Sequence, residues 1–132
     1  MNPFENLHYA IGLVAYAMAG IDGKIQREER VKFHDIVANE LRGNEDAFNL
    51  SDIIFRVLDH DHMDAETAYE WAINEIRSNS HYLSPELKSK SIRVAEKIAA
   101  AYPPVTPQEQ DLLERFKSDL APLEGDPVFY RA

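Results

Sequence analysis

Apolar residues recur along the chain at the spacing of helix faces. Leu7, Ala10, Ile11, Val14, Ala17, Met18 and Ile21 recur at helical spacing, with partners three and four residues apart, and Leu13 widens the stripe. A stretch apolar around most of its girth predicts a helix at the centre of a bundle. Its end is set by Gly20-Ile21-Asp22-Gly23, because glycine takes positive φ at low cost and Asp-Gly favours a turn. A second helix is expected from about Arg27 to Leu41, with Phe33, Ile36, Val37 and Leu41 inward, closed by Gly43-Asn44.

The pattern is less regular from Asp46 to Asp61, where Ser51 reads as an N-cap and Ile53, Ile54, Val57 and Leu58 as the buried set. Asp64 then caps a helix carrying Ala65, Ala68, Tyr69, Ala72, Ile73 and Ile76. Ser84-Pro85-Glu86 opens another, with Pro at the first helical position and Leu87, Val94, Ile98 and Ala101 inward. Thr106-Pro107-Gln108-Glu109 opens the last as a capping box, followed by the stripe Leu112, Leu113, Phe116, Leu120 and Leu123. Gly125 and Pro127 close it, and Val128-Phe129-Tyr130 is expected to fold back over the core. No segment alternates with period two. The expectation is an all-α bundle of about six to seven helices, one domain over residues 1–132, without a sheet.

The pattern also repeats. Shifted by 80 positions, Val14-Ala15 falls on Val94-Ala95, Met18-Ala19 on Ile98-Ala99, Ile25 on Val105, Glu29 on Glu109 and Phe33 on Leu113. No gap is needed between 14–33 and 94–113. Each copy ends an apolar helix, turns, tucks one β-branched residue inward and opens a new helix with acids. In a pseudo-two-fold bundle Ile25 and Val105 would meet across the axis. Two copies suit a compact bundle rather than a solenoid.

Composition narrows the chemistry. The absence of cysteine excludes disulfides, thiolate catalysis and Cys-ligated metals. Twenty-three acids against 14 bases give a net charge of −9, which repels nucleic acid and favours cations and basic partner surfaces. Ala17-Met18-Ala19 mimics a signal-peptidase site, but residues 1–8 hold Glu5 and no Lys or Arg. The apolar stretch is also too short to span a bilayer. We therefore expect a cytoplasmic protein with no membrane insertion and no nucleic-acid partner.

The first turn, Asp22-Gly23-Lys24-Ile25-Gln26-Arg27-Glu28-Glu29, matches the back half of an EF-hand loop. Gly23 takes the sharp-turn position, Ile25 the inward one and Glu29 the bidentate one. Met18 and Gly20 stand where that loop needs oxygen ligands, so any Ca²⁺, Mg²⁺ or Mn²⁺ would bind weakly. Structural roles compete: Glu29 can cap Gln26, both glutamates suit a helix N-terminus, and Asp22 suits a turn. The second turn, Tyr102-Pro103-Pro104-Val105-Thr106, lacks Asp-Gly but keeps Glu109.

Two further clusters carry side chains of metal-ligating type. Asp59-His60-Asp61-His62-Met63-Asp64 offers His and Asp at alternate positions, a loose match to a zinc chelate or a plain polar loop around the Asp64 cap. His34-Asp35 is similar to the paired residues of HD-type phosphohydrolases, whose metal site would also need an upstream His and a distant Asp, for which His8 and Asp59 are available. No phosphate loop or nucleophile motif accompanies them.

Over Ala15 to Glu29, AYAMAGIDGKIQREE, the chain resembles the TerB-like family, helical domains named after tellurite-resistance proteins and also found beside J-domains. VAEKIAAAYPPVTPQEQDLL resembles that family's second, weaker copy, with Tyr102 and the prolines departing from Asp-Gly. The resemblance implies an all-α bundle with pseudo-two-fold symmetry, an acidic cluster proposed to bind divalent metal, and a role in stress response or as an interaction module. Matched by position, Asp22, Glu28 and Glu29 form the first acidic motif and Glu109 the second. The leading expectation is a non-enzymatic TerB-like module with a weak divalent cation or a protein partner. The alternatives are an HD-type phosphohydrolase and a purely structural module, a homodimer for instance, with Phe129 and Tyr130 in its apolar surface.

Overall fold

In a computed structural model of the protein, residues 2–23, 25, 27–40, 45–101 and 103–131 are described, without the side chains of 28 and 45–48. The helix α1 (Pro3–Gly20) runs through the middle, and every residue from Ala10 to Ala19 is buried. Asn2 and Glu5 close a capping box at its start, ahead of Pro3. Around it lie α2 (Arg27–Glu40), α3 (Glu45–Asp61), α4 (Ala65–Ser78), α5 (Pro85–Ala100) and α6 (Pro107–Leu120). A 3₁₀ turn, Ser80–Tyr82, links α4 to α5, and a short α7 (Pro127–Tyr130) follows α6. The described residues contain no strand. None of their helices is long and apolar enough to cross a membrane.

Local chemistry sets these elements as expected. Asp64 accepts the Thr67 N–H at 3.1 Å, Ser84 that of Leu87 at 3.1 Å, and Thr106 that of Glu109 at 3.1 Å. Lys88 on α5 donates to the carbonyls of Ala121 and Leu123, at 3.3 and 2.9 Å, and so satisfies the end of α6. Gly12 lets α3 approach α1: a Cβ there would lie 2.1 Å from Ile54 Cγ2 and 2.7 Å from the Ser51 carbonyl oxygen. Deeper in the core Phe33 stacks on Phe55, with ring centroids 4.0 Å apart.

The helix bounds carry the repeat. α1 and α5 end at Gly20 and Ala100, and α2 and α6 run Arg27–Glu40 and Pro107–Leu120, all 80 positions apart. α2 packs against α5 and α6 against α1, the crosswise pairing of two interlocked hairpins.

Four expectations change. Ser51 is no N-cap but sits inside the continuous α3, wholly buried, its hydroxyl donating to the His8 carbonyl at 2.7 Å. Ile53 and Val57 face outward, 59 % and 46 % exposed, because Phe55 joins Ile54 and Leu58 on the inner face. Val105 is 41 % exposed while Ile25 is buried, so they do not meet in the interior. Ile25 lies against Gly20, whose Cβ position would be 3.5 Å from Ile25 Cγ1 and 3.8 Å from Ala65 Cβ. That tail docks on the 3₁₀ turn rather than the core: Asp126 N–H donates to the His81 carbonyl at 2.9 Å, and Phe129 meets the rings of His81 and Tyr82. Leu41 and Gly43-Asn44 lie outside the described residues.

Candidate functional site

The first turn is built as its sequence requires. Gly23 has φ 96° and donates its N–H to the Gly20 carbonyl at 3.0 Å, which turns the chain back at the end of α1. Asp22 is left partly exposed on the outside, and Ile25 is drawn in. Glu29, third in α2, is only 2 % exposed. The side chain of Glu28, and Gln26, which the capping reading of Glu29 requires, lie outside the described residues.

The second turn places Glu109 at the same third position of α6, 3 % exposed. Its Oε1 accepts the Thr106 N–H at 2.9 Å, completing the capping box. Burial pushes its carboxyl pKa up, hydrogen bonds from Thr106 offset part of the rise, and the negative charge of Asp22 adds to it. Asp22 of the first turn therefore lies within electrostatic reach of Glu109 in the second. The fold brings two of the four acids singled out in the sequence to one junction and buries a third, Glu29, at the matching position.

The chemistry of this junction is that of paired carboxyls. It offers carboxylate oxygens, which suit hard ions, but Glu109 already spends one oxygen on its cap. Among the described residues no three His, Asp or Glu side chains are grouped to hold a metal ion. Two carboxylates fit an ion that keeps most of its water, and do not form a closed site.

The other candidates are dispersed. Asp59 takes a two-pronged contact from Arg30, at 3.0 and 3.3 Å; His60 Nδ1 lies 3.2 Å from Asp61; Asp64 caps α4. His62 adopts positive φ at the turn. His34 and Asp35 are exposed on α2, whereas His8 is buried with Nδ1 2.9 Å from the Phe4 carbonyl oxygen. The constellation for an HD-type site is not assembled among the described residues.

Sequence reasoning missed two polar features. Arg30 and Asp59 wall a hollow of about 320 Å³ beneath the first turn, floored by Tyr16, Ile25 and Met63. Tyr69 is buried edge-on to Phe116 and donates its hydroxyl to Asp119 at 2.6 Å, with the Arg115 guanidinium over its ring at 4.5 Å. A tyrosine on an otherwise aliphatic face was the available signal, since a buried phenol needs a partner. No family model matches the chain, and neither the curated proteins nor the solved structures contain a significant match.

Proposed function

We propose that this chain is a non-enzymatic, TerB-like helical module that offers the acidic junction of its two repeated turns to a cationic ligand. The ligand is a weakly held divalent ion or a basic side chain of a protein partner. The observation that supports this reading is the action of Asp22 on the buried Glu109 across the two turns. Ionising both carboxyls there is unfavourable, and an added positive charge relieves it. The net charge of −9 strengthens the field in the same sense. Glu28 and Glu29, at the start of α2, are the further acids matched by the resemblance.

The test is a titration of isotope-labelled protein with Ca²⁺, Mg²⁺, Mn²⁺ or Zn²⁺, followed through amide shifts, with line broadening as the readout for paramagnetic Mn²⁺. Saturable changes centred on Gly23 and Glu109 that disappear in Asp22→Asn support the metal form of the reading. Insensitivity to every metal, combined with shifts at the same amides on adding a lysine-rich peptide, supports the partner form. No localised response to either removes the junction as a binding site.

A further inference from the structure

The buried histidine of α1 points to an acid-sensitive contact that is separate from the acidic junction. His8 is 3 % exposed, in contrast to the exposed His34, His60, His62 and His81. Its ring packs on Phe4, centroids 4.4 Å apart, and its Nδ1 lies 2.9 Å from the Phe4 carbonyl oxygen. A carbonyl can only accept, so Nδ1 carries the proton in that bond and Nε2 of the neutral ring is bare. The backbone carbonyl of His8 is also the acceptor of the buried Ser51 hydroxyl, one of the ties between α1 and α3. One turn later, on the same face of α1, Gly12 admits Ile54 and the Ser51 backbone of α3.

The charges around this ring oppose a second proton. From α5, Lys90 faces His8 and its charge works against protonation, although Glu86 pairs with it at 3.7 Å. On α1 itself the acid is Glu5, whose carboxylate is engaged by the Asn2 N–H at 3.1 Å. On α3, Asp52 is held by Arg56 at 3.1 Å. On α4, Glu75 acts on Tyr9. The Asp22–Glu109 pair belongs to the other end of α1. Burial is the largest influence on the ring and lowers its pKa, with the Phe4 hydrogen bond opposing and Lys90 adding to the fall.

We infer that His8 makes the seating of α3 on the N-terminal half of α1 acid-labile: protonation of the buried ring loosens the His8–Ser51 contact before the rest of the bundle opens. The sign follows from linkage. The folded state disfavours the charged ring, so the unfolded or locally opened state binds more protons. Stability is then complete above the ordinary histidine range and is lost as pH falls through it.

The experiment follows the intact protein by NMR from about pH 8 to about pH 5. The expected result is that the His8 ring titrates below the ordinary histidine range. Once corrected for intrinsic rates, amide exchange in residues 4–12 and 51–55 should accelerate as pH falls, by up to about tenfold per pH unit, ahead of α5 and α6. His8→Gln, which removes the titratable ring and keeps a polar side chain of similar length, should exchange at a pH-independent rate in those segments. Titration of His8 within or above the ordinary histidine range, acceleration spread evenly over all helices, or the same acid acceleration in His8→Gln would overturn the inference. If His8→Gln does not fold, the titration and exchange of the native chain decide alone.

Discussion

Asp22 in the first turn lies within electrostatic reach of Glu109 in the second, where burial raises the carboxyl pKa and the charge of Asp22 adds to the rise. A raised carboxyl pKa means that the folded state binds its proton more tightly than the unfolded chain does. The cost of ionising Glu109 is absent in acid and complete once pH has risen past its raised value. Glu109→Gln keeps an acceptor for the Thr106 N–H, since glutamine also serves at that capping-box position, and removes the charge. Its melting temperature should exceed that of the native protein at neutral pH, and the gain should shrink as pH falls through the carboxylate range. Asp22→Asn should act in the same direction but less, because its charge is the smallest of the named influences. Calorimetry over a pH series checks both.

Glu40 should respond to pH in the opposite sense. Desolvation pushes its carboxyl up, but hydrogen bonds from Lys97 at 2.7 Å and Arg93 at 3.0 Å bring it below the ordinary range. It ties α2 to α5, the crosswise pairing of the two copies. Its contribution is complete above the ordinary glutamate range and fades as pH falls through its lowered value. Glu40→Gln should therefore lower stability at neutral pH and converge on the native protein in strong acid, measured by urea unfolding at several pH values.

Gly12→Ala should destabilise the protein by about 1–3 kcal/mol, the usual cost of overpacking. The new methyl would meet Ile54 and the rigid Ser51 carbonyl, and this outweighs the gain of about 0.5–1 kcal/mol in helix propensity. Urea unfolding gives the difference directly. A Gly12→Ala variant at least as stable as the native protein would mean that α1 and α3 are not packed as described.

Gly23→Ala isolates backbone strain. A Cβ at Gly23 meets nothing within 4 Å, but φ is 96°. The expected loss is about 1–2 kcal/mol, carried by conformation alone. Gly23→Asn, which tolerates left-handed backbone better, should lose less than Gly23→Ala. Thermal unfolding of the two variants side by side makes the comparison.

Most of the fold was legible because short-range chemistry wrote it. Asp64, Ser84 and Thr106 each cap the helix that their side chains announce, and all six inward residues named for α4 are buried. The misreadings fell where a tertiary partner overrode a local signal. Ser51 has the chemistry of a cap, but α1 supplies it with the His8 carbonyl, so it can stay inside a helix. The β-branched Ile53 and Val57 looked like core, yet the larger Phe55 turned the inner face of α3 toward Phe33. At the junction, spacing alone matched Glu29 with Glu109, and both are buried. The nearness of Asp22 to Glu109 could not be read from spacing, since it depends on how α6 meets α1.

The burial of α1 on all sides has a consequence for biosynthesis. A helix whose residues from Ala10 to Ala19 are all covered has no face that water can wet favourably until its neighbours exist. Its contacts with α4 and α5 wait for residues 65–78 and 85–100 to be made. After α3 has been made, α1 is still covered on one side only until α4 and α5 follow, an interval in which chaperones have their clearest target and premature association is most costly. Truncations that stop before α5 should be captured or aggregate rather than accumulate as a smaller folded unit.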